Sequence, residues 1–107
     1  MSQIEEFKKR VHEMRDEKAI PHLQQYAPVW IVSEKLVPED SSVIFNVLFQ
    51  HNRYGWVSRR YKYDGFNNVL YQKGQNTVGE DDALDVVSEQ EPYIEASISD
   101  VPNAYGG

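Results

Sequence analysis

Hydrophobic side chains recur at helical spacing in the first twenty residues of the chain. The apolar members of this repeat are Ile4, Phe7, Val11 and Met14. Their spacing predicts an amphipathic helix over residues 2–19, with the apolar stripe as its packing face. Ser2 and Glu5 have the spacing of a capping box, in which each side chain hydrogen-bonds a backbone N–H of the first turn. Pro21 is expected to stop or restart the helix, and residues 21–27 to form a further short turn.

From residue 29 onward the apolar period changes to two, the repeat of a strand with one buried face. Four strands are predicted, over residues 29–36, 43–50, 54–63 and 69–73. Because short turn-forming segments such as Asp64-Gly65 separate them, the strands are expected to form an antiparallel meander. In the second strand one face carries Val43, Phe45, Val47 and Phe49. In the third strand the two faces are predicted to be Val57, Tyr61 and Tyr63, and Trp56, Ser58, Arg60 and Lys62.

The pattern is weaker after Gly74. Residues 74–79 are predicted to form a loop, and residues 80–87 a short helix whose first-turn acids suit the helix dipole. In that helix Leu84 and Val87 are expected to face the core. A last strand is predicted over Tyr93–Ile98, followed by a frayed tail over residues 100–107.

These elements predict an α+β fold, with an N-terminal amphipathic helix packed on an antiparallel sheet of about four or five strands. A chain of 107 residues is long enough for one core and too short for two, so we expect a single compact domain over 1–107. Within it, residues 1–28 are helical, 29–73 form the meander and 74–107 form an acidic segment with a short helix or loop, the last strand and the tail.

Charge divides the chain unevenly. The formal net charge is −6, yet residues 74–107 hold eight of the 17 Asp and Glu residues and none of the 11 Lys and Arg residues. That third therefore carries −8, and the rest of the chain carries +2. Such a distribution opposes binding to nucleic acid or to an anionic membrane, and favours a cation or a basic protein surface as partner.

Several chemistries are excluded or disfavoured. The chain has no cysteine, which excludes disulfides, thiolate zinc sites, iron–sulfur clusters and a cysteine nucleophile. No glycine-rich phosphate loop is present, and His12, His22 and His51 do not have metal-ligand spacing. The chain has no long apolar run, and its N-terminus is acidic where a signal peptide is basic. We therefore expect a cytoplasmic protein that is not an enzyme.

The strongest candidate site is a run of five carboxylates without an intervening base: Glu80, Asp81, Asp82, Asp85 and Glu89. On a helix several of them share a face, because Asp81 and Asp85 are four residues apart, as are Asp85 and Glu89. Calcium takes six to eight oxygen ligands in irregular geometry, and a bound ion would relieve the repulsion among these acids. The spacing differs from that of an EF-hand. Two loops are predicted to add ligands, and their candidate residues are Asp64, Asn67, Glu39 and Asp40.

Two alternatives remain open. The acids can instead form a solvated surface of an adaptor or inhibitor that docks a basic protein surface. The third strand also resembles a platform for single-stranded nucleic acid, since Arg59, Arg60 and Lys62 alternate with Trp56, Tyr61 and Tyr63. The acidic isoelectric point of about 4.9 opposes this last partner, because a negatively charged protein repels phosphate groups.

The layout of the whole chain resembles a known family. An N-terminal helix, a tyrosine-rich meander and the segment Gly79-Glu80-Asp81-Asp82-Ala83-Leu84-Asp85, in a small acidic chain without cysteine, are similar to the cyanobacterial calcium-binding proteins of the CcbP type. The resemblance covers most of the chain and rests on layout, not on a motif with diagnostic spacing. It implies a compact α+β fold that binds Ca2+ at sites unlike EF-hands and that buffers or regulates cytosolic calcium.

Overall fold

The computed structural model describes residues 2–96, and these form two helices and a four-stranded antiparallel sheet. The elements are α1 (Ser2–Leu23), β1 (Trp30–Val37), β2 (Ser42–His51), β3 (Gly55–Asp64), β4 (Val69–Thr77) and α2 (Glu80–Glu89). The predicted α+β class, with an N-terminal helix on an antiparallel sheet, is confirmed. Within the described residues, neither helix has the length and apolar run needed to cross a bilayer.

Helix α1 runs through Pro21, so the predicted stop at this residue is wrong by half a turn. A single 3-10 turn over Gln24–Tyr26 follows, as expected for this segment. Only the later part of the predicted apolar stripe, Val11 and Met14, packs on the core. Val11 is buried, but Ile4 is 68% exposed and Phe7 is 37% exposed. A helix of 22 residues is about 33 Å long, and it contributes buried side chains to the core only from Val11 onward.

The sheet has the strand order β1-β2-β3-β4, so each strand pairs with its neighbour in the sequence, as predicted. Strand β4 continues to Thr77, whereas the polar residues after Lys73 were expected to form a loop. They extend the strand because β3 offers ten residues for pairing, and Val57 lies opposite Thr77. Lys73 is the extra residue of a β-bulge, since Arg60 pairs with Gly74 and the next pair is Tyr61 with Gln72.

Two hydrophobic clusters stabilise the fold, one on each face of the sheet. Helix α1 covers the larger cluster, whose completely buried strand residues include Val43, Phe45, Val47, Phe49, Val57 and Tyr63. Helix α2 covers the smaller cluster on the opposite face, which contains Trp30, Leu48 and Ala83. Burying one large apolar side chain contributes about 1.5–3 kcal/mol. The two helices are therefore held on the sheet by separate sets of contacts.

The predicted last strand is reduced to one bridge within the described residues. Val29 N–H donates to the Ile94 carbonyl (2.9 Å), and Ile94 N–H donates back to the Val29 carbonyl (3.1 Å). This contact returns the chain to the start of β1, so Ile94 joins the larger cluster. The rest of that predicted strand, from Ser97, and the predicted tail over 100–107 lie outside the described residues.

Candidate functional site

Helix α2 places the acidic run against one end of the sheet. Its inner face is small and apolar: Ala83 is completely buried in one cluster with Trp30 and Leu48. Val86 and Val87 pack beside Ala83 at the helical spacing of one face. These three residues form the face by which α2 packs on the sheet, and this face orients the rest of the helix.

Hydrogen bonds fix α2 at both ends. Before the helix, Val78 N–H donates to the Trp56 carbonyl (2.9 Å). After the helix, Trp30 Nε1–H donates to the Gln90 carbonyl (3.2 Å), and the Gln90 side-chain amide donates to the Ile31 carbonyl (2.6 Å). Because both ends are tied to different strands, α2 presents a defined outer surface.

The prediction that Leu84 faces the core is wrong. Leu84 is 47% exposed, whereas the neighbouring Ala83 is completely buried. Successive helical residues point about 100° apart, so when Ala83 faces the sheet Leu84 turns away from it. Residues three and four positions away are its neighbours on the helix surface, which places Leu84 next to Glu80 and Asp81.

The five predicted calcium ligands all lie on α2 and are all exposed: Glu80, Asp81, Asp82, Asp85 and Glu89. A single helix spreads their carboxylates around its outer half. No group of three or more His, Asp or Glu side chains within residues 2–96 is arranged to hold a metal ion. Calcium binding by these acids therefore stays a prediction.

The predicted additional ligands are engaged in their own turns. The Asp64 carboxylate accepts hydrogen bonds from the backbone N–H groups of Phe66 (2.9 Å) and Asn67 (3.2 Å), and from the Asn67 side-chain amide (2.9 Å). These hydrogen bonds lower the pKa of Asp64, and the bond from the Asn67 side-chain amide has the largest effect. In the other loop Glu39 and Asp40 lie in a 3-10 turn, and Asp40 is 3.8 Å from the Lys62 ammonium.

The two loops and α2 occupy opposite ends of the sheet. Asp64 ends β3 opposite Ser42, whereas Trp56, which packs with the α2 cluster, is at the start of the same strand. Eight residues of strand separate Trp56 from Asp64, which corresponds to roughly 27 Å. A site combining the acidic run with Asp64 or Asp40 is therefore not formed.

The predicted nucleic-acid platform is divided between the two faces of the sheet. Arg59 and Tyr61 are buried on the α1 side, and so is Tyr63. Arg60 and Lys62 alternate with them and lie on the opposite side. Trp56, a further aromatic residue of the proposed platform, packs in the α2 cluster. Tyr61 and Tyr63 thus do not share an exposed surface with Arg60 and Lys62, as the predicted stacking platform requires.

A polar network around Arg59 lies inside the larger cluster. Arg59 is only 5% exposed; its Nη1 donates to the Tyr61 hydroxyl (2.8 Å) and its Nε donates to Gln75 Oε1 (2.7 Å). The guanidinium also lies over the rings of Tyr26 (4.8 Å) and Phe49 (4.9 Å). Sequence reasoning grouped Arg59 with the exposed bases. Its place in the alternation Val57, Arg59, Tyr61 was the available signal that it faces inward.

A second buried arginine has a different environment. Arg15 is 4% exposed; its Nε donates to Asp16 (2.7 Å) and its Nη1 donates to Glu34 (3.1 Å). Its charge is therefore balanced by two carboxylates. Within residues 2–96, Arg59 forms no such ion pair, so its positive charge is compensated only by neutral acceptors and aromatic rings.

His22 completes the network around Arg59. Its Nε2 is 2.9 Å from the Tyr61 hydroxyl, and the two rings meet edge to face. Burial, and then the positive charge of Arg59, lower the pKa of His22. Burial raises the pKa of Tyr61, and Arg59 opposes this shift. At neutral pH both groups are therefore uncharged, and either the Tyr61 hydroxyl or His22 Nε2–H can donate the hydrogen bond between them, according to the tautomer of His22.

Replacing His22 is expected to reduce the decrease in the free energy of unfolding at acidic pH. Since the pKa of His22 is lower in the folded protein than its ordinary value of about 6.5, the unfolded chain takes up the proton first. The contribution of neutral His22 to the free energy of unfolding is therefore fully present above about pH 6.5, and it is lost as the pH decreases below this value. Urea unfolding of wild type and His22→Gln between about pH 7 and 5 measures the difference. Equal slopes in both proteins would contradict a neutral His22 beside Tyr61 and Arg59.

No protein-family model, no curated protein and no solved structure matches this chain. The similarity to the calcium-binding proteins of the CcbP type therefore stays a prediction, as does the calcium function that it implies.

Proposed function

We propose that this protein is a binding module, not an enzyme, and that the outer surface of α2 docks a basic protein surface. We name this surface, formed by Glu80, Asp81, Leu84, Asp85 and Glu89, the acidic α2 surface. The observation that carries the proposal is the exposed Leu84 among carboxylates. An apolar side chain within a charged rim is the arrangement of a protein–protein interface.

The charges of the chain support a basic partner. Residues 74–107 contain no Lys or Arg, so no base within the segment neutralises the acids of α2. Complementary charge accelerates encounter and selects the partner, while burial of an apolar group supplies affinity. In this proposal Leu84 supplies affinity, and the surrounding acids attract and select the basic partner.

The directions of the carboxylates on α2 distinguish docking from calcium binding. A calcium ion needs oxygens that converge on one point, and the carboxylates of α2 point outward around the helix. A basic protein surface needs no such convergence, because several ammonium and guanidinium groups meet several carboxylates side by side. Docking therefore fits the geometry of α2 better than a metal site does.

Leu84→Ser tests the docking proposal. A labelled synthetic peptide with Lys and Leu at helical spacing is titrated with the protein at about 0.15 M salt, and binding is followed by fluorescence anisotropy. We expect the substitution to weaken binding about tenfold, since burying a leucine contributes about 1.5–3 kcal/mol. Asp81→Asn with Asp85→Asn should weaken binding several-fold and reduce its dependence on salt.

Matched controls are available elsewhere on the surface. Phe66 is 85% exposed at the far end of the sheet, so Phe66→Ser removes an exposed apolar group without touching α2 and should leave binding unchanged. Equal affinities of wild type and Leu84→Ser would contradict a docking surface centred on Leu84. A saturable rise in melting temperature with Ca2+, with Mg2+ much less effective, would favour the calcium site instead.

A further inference from the structure

An open cleft of about 360 Å³ separates α1 from the edge strand β4. Its lining residues include Lys18, His22, Tyr61, Asn68, Leu70 and Gln72. The cleft exists because the inward-facing positions of β4 are covered incompletely: Leu70 is half-buried and Gln72 is exposed. Its volume is within the range of pockets that hold small ligands.

The walls of the cleft combine hydrogen-bond donors with an apolar surface. Lys18 and His22 are four residues apart, which places them on the same side of α1. Opposite them, Leu70 supplies apolar area, and Gln72 supplies an amide. A ligand that filled the cleft would therefore meet an ammonium and an amide at its polar end, and aliphatic carbon along its body.

Positive charge lies behind the cleft. Tyr61, a lining residue, accepts a hydrogen bond from the buried Arg59 guanidinium (2.8 Å). Arg59 forms no ion pair within the described residues, in contrast to Arg15 with its two carboxylates. Burial is the largest cause of the raised pKa of Tyr63, and the negative charges of Glu17 and Asp64 add to it. Carboxylates therefore lie near Tyr63. The end at Tyr61 and His22 is therefore the favourable one for an anion.

We propose that this cleft binds a small organic carboxylate with an apolar body. Its carboxylate would accept hydrogen bonds from the Lys18 ammonium and the Tyr61 hydroxyl, and its body would contact Leu70. A single negative charge is favoured over a phosphate dianion, because Lys18 is the only side chain among the lining residues that carries a full positive charge.

Binding would rearrange one proton. In the free protein the Tyr61 hydroxyl accepts a hydrogen bond from Arg59 and lies 2.9 Å from His22 Nε2. When neutral His22 carries its proton on Nδ1, the hydroxyl is the donor in this second contact. When a carboxylate binds, the hydroxyl donates to the ligand, and His22 turns to the tautomer in which Nε2–H donates to the Tyr61 oxygen. The number of hydrogen bonds increases by one, and no group in the network changes its charge.

Titration with benzoate tests the proposal, with the neutral isostere benzamide as the comparison. Two-dimensional amide NMR on the full chain should show saturable shifts at the lining residues, and benzoate should bind at least about tenfold more tightly than benzamide. The imidazole nitrogens of His22 should report the change of tautomer upon benzoate binding only. Lys18→Gln and Tyr61→Phe should each weaken benzoate binding about tenfold.

Lys9→Gln provides the matched control, because Lys9 is an exposed lysine of α1 that does not line the cleft. Lys18 is itself exposed, so Lys18→Gln is expected to fold and keeps the test valid if Tyr61→Phe is unstable. Equal binding of benzoate and benzamide, unsaturable shifts, or equal losses in Lys18→Gln and Lys9→Gln would overturn the proposal. These outcomes are independent of the acidic α2 surface.

Discussion

Gly65→Ala is expected to destabilise the protein by about 2 kcal/mol or more, a decrease in melting temperature on the order of ten degrees. Gly65 lies in the turn between β3 and β4, against the loop that joins β1 to β2. A Cβ added there would overlap the carbonyl oxygen of Ser41 and lie 2.9 Å from its Cβ. Because the obstacle is backbone, the two loops must separate to make room. Thermal unfolding followed by circular dichroism measures the loss.

Gly74→Ala is the matched control for this prediction. Gly74 lies in β4, and a Cβ added there meets nothing within 4 Å. Its stability should be unchanged, or increased by roughly 0.5 kcal/mol because alanine restricts the unfolded chain. Comparable losses of stability in both variants would contradict the prediction, because they could not then be caused by the contact between residue 65 and Ser41.

The sheet is the part of the fold that sequence reasoning predicted best. In β2 one face is uniformly apolar, whereas Asn46 and Gln50 lie on the other face beside Ile44 and Leu48, and this difference indicates which side of the strand faces α1. The end of β4 was missed because Gln75, Asn76 and Thr77 carry no apolar alternation. Their pairing with β3 depends on backbone hydrogen bonds, which are the same for every side chain.

Helical periodicity predicted where α1 and α2 lie, but only part of the buried face of each: Val11, Met14 and Val87 pack on the core as predicted, and Leu84 does not. The apolar spacing of Ile4 and Phe7 is that of a packing face, yet these residues lie beyond the part of the helix that covers the core. In α2, hydrophobicity favoured Leu84 over Ala83 as the buried residue. Ala83 is the buried residue because it shares one helix face with Val86 and Val87, and all three pack in the cluster with Trp30.

The network of Arg59, Tyr61 and His22 could not be predicted from the sequence, because it joins a helix to a strand 39 residues away. Composition suggested that Arg59 was exposed, since charged residues are seldom fully buried. Tertiary contacts reverse that expectation: three aromatic rings and two neutral acceptors surround the guanidinium. The cleft beside this network is formed by the placement of α1 next to β4, so no local sequence motif indicates it.

Ala83→Asp is expected to detach α2 from the sheet. Ala83 is completely buried between Trp30 and Leu48, so a carboxylate there has no partner within its cluster. An unpaired buried charge costs about 3 kcal/mol or more, and an isolated helix of ten residues is unstable in water. The helix should therefore undock and unfold while the larger cluster under α1 persists. Loss of helical circular dichroism and a lower unfolding midpoint would follow.

The two tryptophans of the chain report this event directly, because Trp30 and Trp56 both lie in the α2 cluster with ring centroids 6.0 Å apart. Ala83→Asp should shift their fluorescence to longer wavelength as water reaches the rings. Leu84→Asp, one residue along, should leave the fluorescence and the midpoint nearly unchanged, because Leu84 points outward. If Leu84→Asp were instead the destabilising variant, α2 would be rotated by about 100°, and the acidic α2 surface would have to be redefined around the residues then exposed.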